Sequence, residues 1–284
     1  MAKVIVTGGS GKLGKAVLRD LVANGYEVLN LDQTLPKDPI VPTVRIDLRD
    51  FGEVVAALSG VDEHKGPFDA VVHLAAIPAP GQFANARTFA NNVPATYNVF
   101  EAARIAGIKT IVFASSETVL GLPFDTPPPY APVDEEYYPR PESAYSLGKL
   151  VDETIAAQFC RWDPELKIAG LRFSNVMDVE DYKAFPAFDA DPRLRKWNLW
   201  GYIDARDGAQ AVRKAIEADF KGFEAFIIAN KDTVMSRANS SLMAEVFPGV
   251  ETRPNMSSTG TLLSIEKAKR MLDYNPQHSW RNHV

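Results

Sequence analysis

Short apolar runs alternate with longer amphipathic stretches along the first two thirds of the chain. "KVIVTG" (3–8) precedes "KLGKAVLRDLVANG" (12–25), whose apolar positions recur at helical spacing, and "EVLNLD" (27–32) follows. This order predicts a strand, a helix and a second strand. The β-branched runs "TVRID" (43–47), "DAVVHLA" (69–75), "TIVFASS" (110–116) and "KIAGLRFS" (167–174) continue the series, with helical patterns near 50–59, 86–106 and 145–161 between them. Strands so uniformly apolar are buried on both faces, and intervening helices supply the crossovers that parallel strands need. The pattern predicts an α/β fold with a doubly wound parallel sheet. After about residue 175 the alternation weakens. "GAQAVRKAIEADF" (208–220) and "SIEKAKRMLD" (264–273) read as helices and "AFIIAN" (225–230) as a late strand.

Residues 117–141 hold seven prolines and little periodicity. They read as a long ordered loop at the carboxyl end of a strand, the side on which such sheets bind ligands. Composition narrows the function classes. A formal net charge of −5 without a basic run argues against a nucleic-acid partner. No apolar stretch approaches the ~20 residues of a membrane span, so no membrane role and a cytoplasmic location are expected. The single cysteine, Cys160, and four scattered histidines form no metal-spaced cluster. No metal is expected, and Cys160 reads as a packing residue.

"TGGSGKLG" places Gly8, Gly11 and Gly14 directly after a strand and at the opening of a helix. Glycines there let the backbone turn sharply and approach a pyrophosphate held by the helix N-terminus, and Gly14 lets the helix pack against the sheet. Asp32, at the end of the second strand, is placed to accept hydrogen bonds from the adenosine ribose hydroxyls. This favours NAD over NADP, whose 2′-phosphate would meet like charge. Asp47 after the third strand fits either an adenine contact or a helix N-cap. In "PESAYSLGK" (141–149), Tyr145 and Lys149 lie four apart and share a helix face. An ammonium group beside a phenol favours the phenolate, so Tyr145 is a candidate base for a hydroxyl proton. Ser116, ending the "TIVFASS" strand, is placed to hold the same substrate oxygen.

Together these motifs resemble the extended short-chain dehydrogenase/reductase family, also called NAD-dependent epimerase/dehydratases. The resemblance extends over "HLAA" (73–76), "NNVPATYNVFEAAR" (91–104), "SSETVLG" (115–121), "LRFSNV" (171–176) and "YIDARDGAQAV" (202–212) to the closing "SIEKAKRMLDYNPQHSW". It implies a Rossmann-type dinucleotide-binding domain over 1–175, with elements from about 201–230 returning to it. A small discontinuous substrate lobe over 176–284 completes the expected fold. It carries catalytic roles onto Ser116, Tyr145 and Lys149. It carries cofactor contacts onto Gly8, Gly11, Lys12, Leu13, Gly14, Asp32, Asp47, Leu48, Leu74, Ala75, Ala76, Asn91, Tyr145, Lys149 and Ser174. His73 reads as structural, and a homodimer through the helices near 86–106 and 145–161 is what the family implies.

Many relatives act on nucleotide-linked sugars through a sizeable second lobe, whereas here only residues 176–199 separate Asn175 from Trp200. The compact layout is similar to uronate dehydrogenase, and that likeness nominates Ser116, Glu117, Thr118, Ser174 and Lys183 as substrate contacts. Glu117 stands where that enzyme has a neutral amide. A carboxylate there would repel an anionic substrate but accept hydrogen bonds from sugar hydroxyls, which makes a neutral sugar credible beside a sugar acid. Asp204, Arg206 and Asp207 are expected to brace the lobe through ion pairs. The function expected is NAD-dependent oxidation of a hydroxyl on a small non-nucleotide carbohydrate, with an NAD-dependent sugar epimerase or dehydratase as the alternative.

Overall fold

A computed structural model describes residues 1–61, 66–254 and 256–283. Strands Lys3–Thr7 (β1) and Glu27–Asp32 (β2) flank helix Lys12–Ala23 (α1). There follow Thr43–Arg45 (β3), helix Phe51–Ser59 (α2), Ala70–His73 (β4), helix Asn85–Ile105 (α3), Thr110–Ser116 (β5), the short Tyr130–Ala131 (β6), helix Ala144–Trp162 (α4) and Lys167–Phe173 (β7). The short strands Val176–Met177 (β8) and Ile203–Asp204 (β9) bracket two 3-10 stretches, Val179–Ala190 and Pro192–Asn198. Helix Ala205–Glu217 (α5) and Gly222–Ile228 (β10) return the chain to the sheet, before helix Asn239–Val246 (α6), Glu251–Thr252 (β11) and helix Glu266–Leu272 (α7).

Seven strands pair in the order β3-β2-β1-β4-β5-β7-β10, all parallel. Alternate strand residues serve opposite faces, as the pleat requires. Val4 and Val6 of β1 pack with Val17, Leu18 and Leu21 of α1 and with Ala209, Val212 and Ala215 of α5. Ile5 joins Leu58 of α2, Val99 and Phe100 of α3 and Phe159 of α4 on the other face. The α/β doubly wound arrangement is therefore as the hydrophobic pattern predicted. Strand order reverses between β1 and β4, where open sheets of this kind form a ligand crevice.

Outside the sheet the sequence was less readable. The proline-rich segment begins with one 3-10 turn, Glu117–Leu120, and is tied down by pairing of β6 with β11 and of Val133 with Leu263. The 3-10 stretches fold over an aromatic cluster in which Tyr182 and Phe185 meet Tyr202 edge-on and Trp280 packs on Phe185. Helix α5 starts at Ala205, three residues before the predicted boundary, because Asp204 caps it by accepting from Arg206 N at 2.8 Å. Asp204 also pairs with the Arg206 guanidinium at 2.8 Å and accepts from the Tyr182 hydroxyl. Asp207, expected with them to brace the lobe through ion pairs, bonds mainly to backbone. Fully buried, it accepts from the backbone N–H groups of Gln277 and His278 and meets His278 Nδ1 at 2.9 Å, so it anchors the C-terminal segment.

At the β10 edge, Ile227 N donates to Glu135 Oε1 at 2.8 Å and Ala225 O accepts from Lys267 Nζ at 2.8 Å. Cys160 is buried, and burial pushes its thiol up to about 11. Helices α3 and α4 leave Tyr97, Leu147 and Trp162 exposed. No helix among the described residues is long and apolar enough to cross a membrane.

Candidate active site

A cavity of about 1170 Å³ opens along the carboxyl ends of the central strands, running from Asp32 and Asp47 past the glycine loop to Ser116 and Tyr145. The glycines have different reasons to be there. Gly8 has φ +75°, and a Cβ on it would lie 2.6 Å from Ala75 N. On Gly14 a Cβ would lie 2.3 Å from Gly8 O, so α1 meets the loop with no room for a side chain. Gly9, which the motif spacing passes over, is equally constrained: its Cβ would fall 2.4 Å from Asn30 Oδ1, the atom that accepts from Gly9 N. The signal for it was Asn30 itself, a polar residue inside the apolar run of β2. Gly11 differs, with φ −72° and a Cβ position no closer than 3.4 Å to Gly8 O. The protein alone tolerates a side chain there. Gly11 is the N-cap of α1 and offers no side-chain cap, which leaves the first N–H groups of the helix for an anion.

Asp32 accepts from Ser10 N at 3.0 Å and Thr34 N at 2.9 Å and stays partly exposed to the cavity. Asp47 is not a helix N-cap; Asp50 takes that role for α2. The Arg49 guanidinium grips the Asp47 carboxylate, at distances down to 2.6 Å, and holds it down to about 2. Lys12 lines the cavity and pairs with Asp181 of the first 3-10 stretch at 2.5 Å. Leu13, Leu48, Leu74, Ala75, Ala76 and Asn91 line the same wall. An apolar wall, a glycine-rich loop under a bare helix N-terminus and a carboxylate at the far end fit a dinucleotide.

The end of the cavity that holds Ser116, Tyr145 and Lys149 is built by β5 and α4. A reciprocal capping box starts α4: Ser143 Oγ accepts from Ser146 N at 3.1 Å, and Ser143 N donates to Ser146 Oγ at 2.9 Å. This fixes the first turn, on which Tyr145 sits, and one turn on Lys149 Nζ reaches Ala114 O of β5 at 2.7 Å. Nζ lies 6.0 Å from the centroid of the Tyr145 ring. Ser116 Oγ accepts from Thr118 N at 3.2 Å and Thr118 Oγ1 at 3.0 Å, which leaves its own proton to donate onward. Ser116, Thr118, Tyr145 and Lys149 all border the cavity.

Glu117 and Ser174 also line it, bonded to each other: Ser174 Oγ donates to Glu117 Oε2 at 2.6 Å and Asn198 Nδ2 to Oε1 at 3.1 Å. Burial pushes the Glu117 carboxyl up to about 7, against the pull of these donors and of Arg195. Asn198 and Arg195 were not foreseen, because the irregular stretch that carries them has no periodicity. Lys183 is a correction to the expected substrate set. It is exposed, paired with Glu180 one turn away on the 3-10 stretch, and does not border the cavity. His73 is buried behind the cavity floor, between Thr7 Oγ1 at 2.8 Å and Thr96 Oγ1 at 3.2 Å. Burial, aided by Lys149, holds it neutral, down to about 3.

A Rossmann-type sheet with a glycine loop at one end of the cavity and Ser, Tyr and Lys at the other defines a dinucleotide-dependent enzyme. Residues 4–229 match the NAD dependent epimerase/dehydratase family, and the chain belongs to that family, an extended short-chain dehydrogenase/reductase group whose cofactor is NAD. Two of its relatives carry different activities in their names. The chain is 31% identical to UDP-glucose 4-epimerase 2 of Oryza sativa subsp. japonica over 61% of its length, a match spanning 44% of that protein. It is 26% identical to L-arabinose 1-dehydrogenase (NAD(P)(+)) of Haloferax volcanii over 91% of its length and 98% of that protein. A mutated uronate dehydrogenase has a similar fold, with TM-score 0.68 and 21% identity, covering 100% of this chain and 85% of that one.

Proposed function

We propose that the protein is a cytoplasmic NAD-dependent dehydrogenase of a small, non-nucleotide carbohydrate, oxidising one hydroxyl by hydride transfer. The observation that carries the reading is the compact lobe. Two 3-10 stretches packed on an aromatic core occupy residues 179–198, and one relative matched over 91% of this chain and 98% of its own length is an L-arabinose 1-dehydrogenase. Gly8, Gly11 and Gly14, the α1 N-terminus and Asp32 would hold NAD, which supplies a hydride acceptor when bound. We take NAD over NADP because Asp32 faces the ribose end and Arg49, a cation on the same wall, is engaged by Asp47.

Ser116 donates a hydrogen bond to the substrate oxygen, Tyr145 takes the hydroxyl proton, and the Lys149 charge stabilises the phenolate. Glu117, with Ser174, accepts hydrogen bonds from neighbouring sugar hydroxyls. With Lys183 outside the cavity, a neutral sugar fits better than a sugar acid. The homodimer expected from the family would cover Tyr97, Leu147 and Trp162 of α3 and α4, and sedimentation as a monomer would refute it.

Screening aldoses, polyols and uronates for NADH formation tests the reading, with stoichiometric NADH from a neutral sugar as the expected result. A second reading, epimerase or dehydratase, draws on the UDP-glucose 4-epimerase relative. Turnover of a UDP-sugar with no net NADH would replace the first reading by the second.

A further inference from the structure

Behind the Tyr145 and Lys149 pair lies a buried carboxylate that the proposed chemistry does not use. Asp152 follows Lys149 by three residues on α4, is fully buried, and places Oδ2 3.4 Å from Lys149 Nζ. Its Oδ1 has no hydrogen-bond partner among the described residues, and the Thr96 side chain joins Lys149 in favouring the charged carboxylate. A carboxylate in this position is costly unless its charge is used, since an uncharged side chain fills the same space without the desolvation penalty.

The groups around it leave Lys149 as its counter-charge. Glu153 is closed off by Arg172 at 2.8 and 2.9 Å and by Ser115 at 2.6 Å. His73 of β4, also acted on by the Lys149 charge, is held neutral between Thr7 and Thr96. Lys149 itself is only 4% exposed, so water screens little of its field.

We propose that Asp152 is a positioning residue for the reaction: its carboxylate offsets part of the Lys149 charge and sets how strongly that charge stabilises the phenolate of Tyr145. The inference rests on Tyr145 acting as base. Burial pushes the Asp152 carboxyl up to about 6, against the pull of Lys149. Below that pH the acid is neutral and Lys149 acts at full strength; above it the carboxylate withdraws part of that help.

The test is the pH dependence of kcat/KM for sugar oxidation in the wild type, Tyr145→Phe, Asp152→Asn and Asp152→Ala, with NAD binding measured in parallel. Removing the negative charge is expected to move the acid limb to lower pH by about 0.5–1.5 units, with NAD binding retained. The wild-type limb is expected to flatten near pH 6, where Asp152 ionises, and to rise with unit slope on either side. This second readout needs no variant to fold. A limb that stays in place in both Asp152 variants, or a wild-type limb of unit slope throughout, overturns the inference. An active Tyr145→Phe enzyme instead overturns the reading of Tyr145 as base.

Discussion

At the scale of single residues, the three motif glycines make separable predictions. A methyl at position 14 has nowhere to go against Gly8 O, so Gly14→Ala is expected to cost about 1–3 kcal/mol of stability as well as NAD affinity. Gly11→Ala meets only an ordinary contact, so it is expected to keep the melting temperature of the free protein and lose NAD affinity. Thermal unfolding with and without NAD separates the two. Tyr145→Phe is expected to lose roughly 10²–10⁴ in kcat while NAD still binds, which quenching of the protein's tryptophan fluorescence on NAD addition checks.

Glu117 carries a prediction about stability. Its carboxyl is raised to about 7 in the folded chain, so the folded state holds that proton more tightly than the unfolded chain. Its contribution to stability is full below about pH 4.5 and is lost as pH rises through about 7. Glu117→Gln is therefore expected to gain on the wild type by the order of 3 kcal/mol between about pH 5 and pH 8, read from denaturant midpoints. Local spacing in the sequence singled out Gly8, Gly14, Tyr145 and Lys149, and all four border the cavity. Asn198 reaches Glu117, and the Arg195 charge acts on it, only through an irregular turn, where Leu199 and Trp200 both take left-handed backbone angles. No sequence period encodes that juxtaposition.

At the scale of elements, the capping box of α4 links helix stability to the reactive end. Ser143→Ala removes the acceptor for Ser146 N in the turn that bears Tyr145. It is expected to cost about 1 kcal/mol, and to lower kcat more than it raises KM for NAD. Long amphipathic helices and apolar strands were legible to within a few residues because each buries a continuous face. The 3-10 stretches, α6 and the two-residue strands were not. They are too short to display a period, and what holds them is distant: Tyr182 and Phe185 lean on Tyr202 and Trp280.

At the scale of the whole molecule, the sheet carries the cofactor half of the cavity, and residues after 175 both complete the sheet and shape its far side. The C-terminal segment is part of that frame. Asp207 holds the backbone at 277 and 278, and Asp232 accepts from Ser279 Oγ at 2.7 Å and the Arg281 guanidinium at 3.1 Å. Asp207→Ala is expected to lower the melting temperature and speed amide exchange over 277–282, while leaving the glycine loop protected.

The capped edge of β10 has a consequence for colloidal behaviour. An exposed parallel edge offers a row of bare amides and carbonyls that another chain could extend, the first step towards cross-strand assembly. Here the outward groups at 225 and 227 are occupied by Lys267 and Glu135, a plug contributed by residues more than 40 positions away in either direction. Losing the plug bares the strand without touching the cavity, so Glu135→Ala is expected to scatter light sooner on warming while Ser116, Tyr145 and Lys149 keep their places.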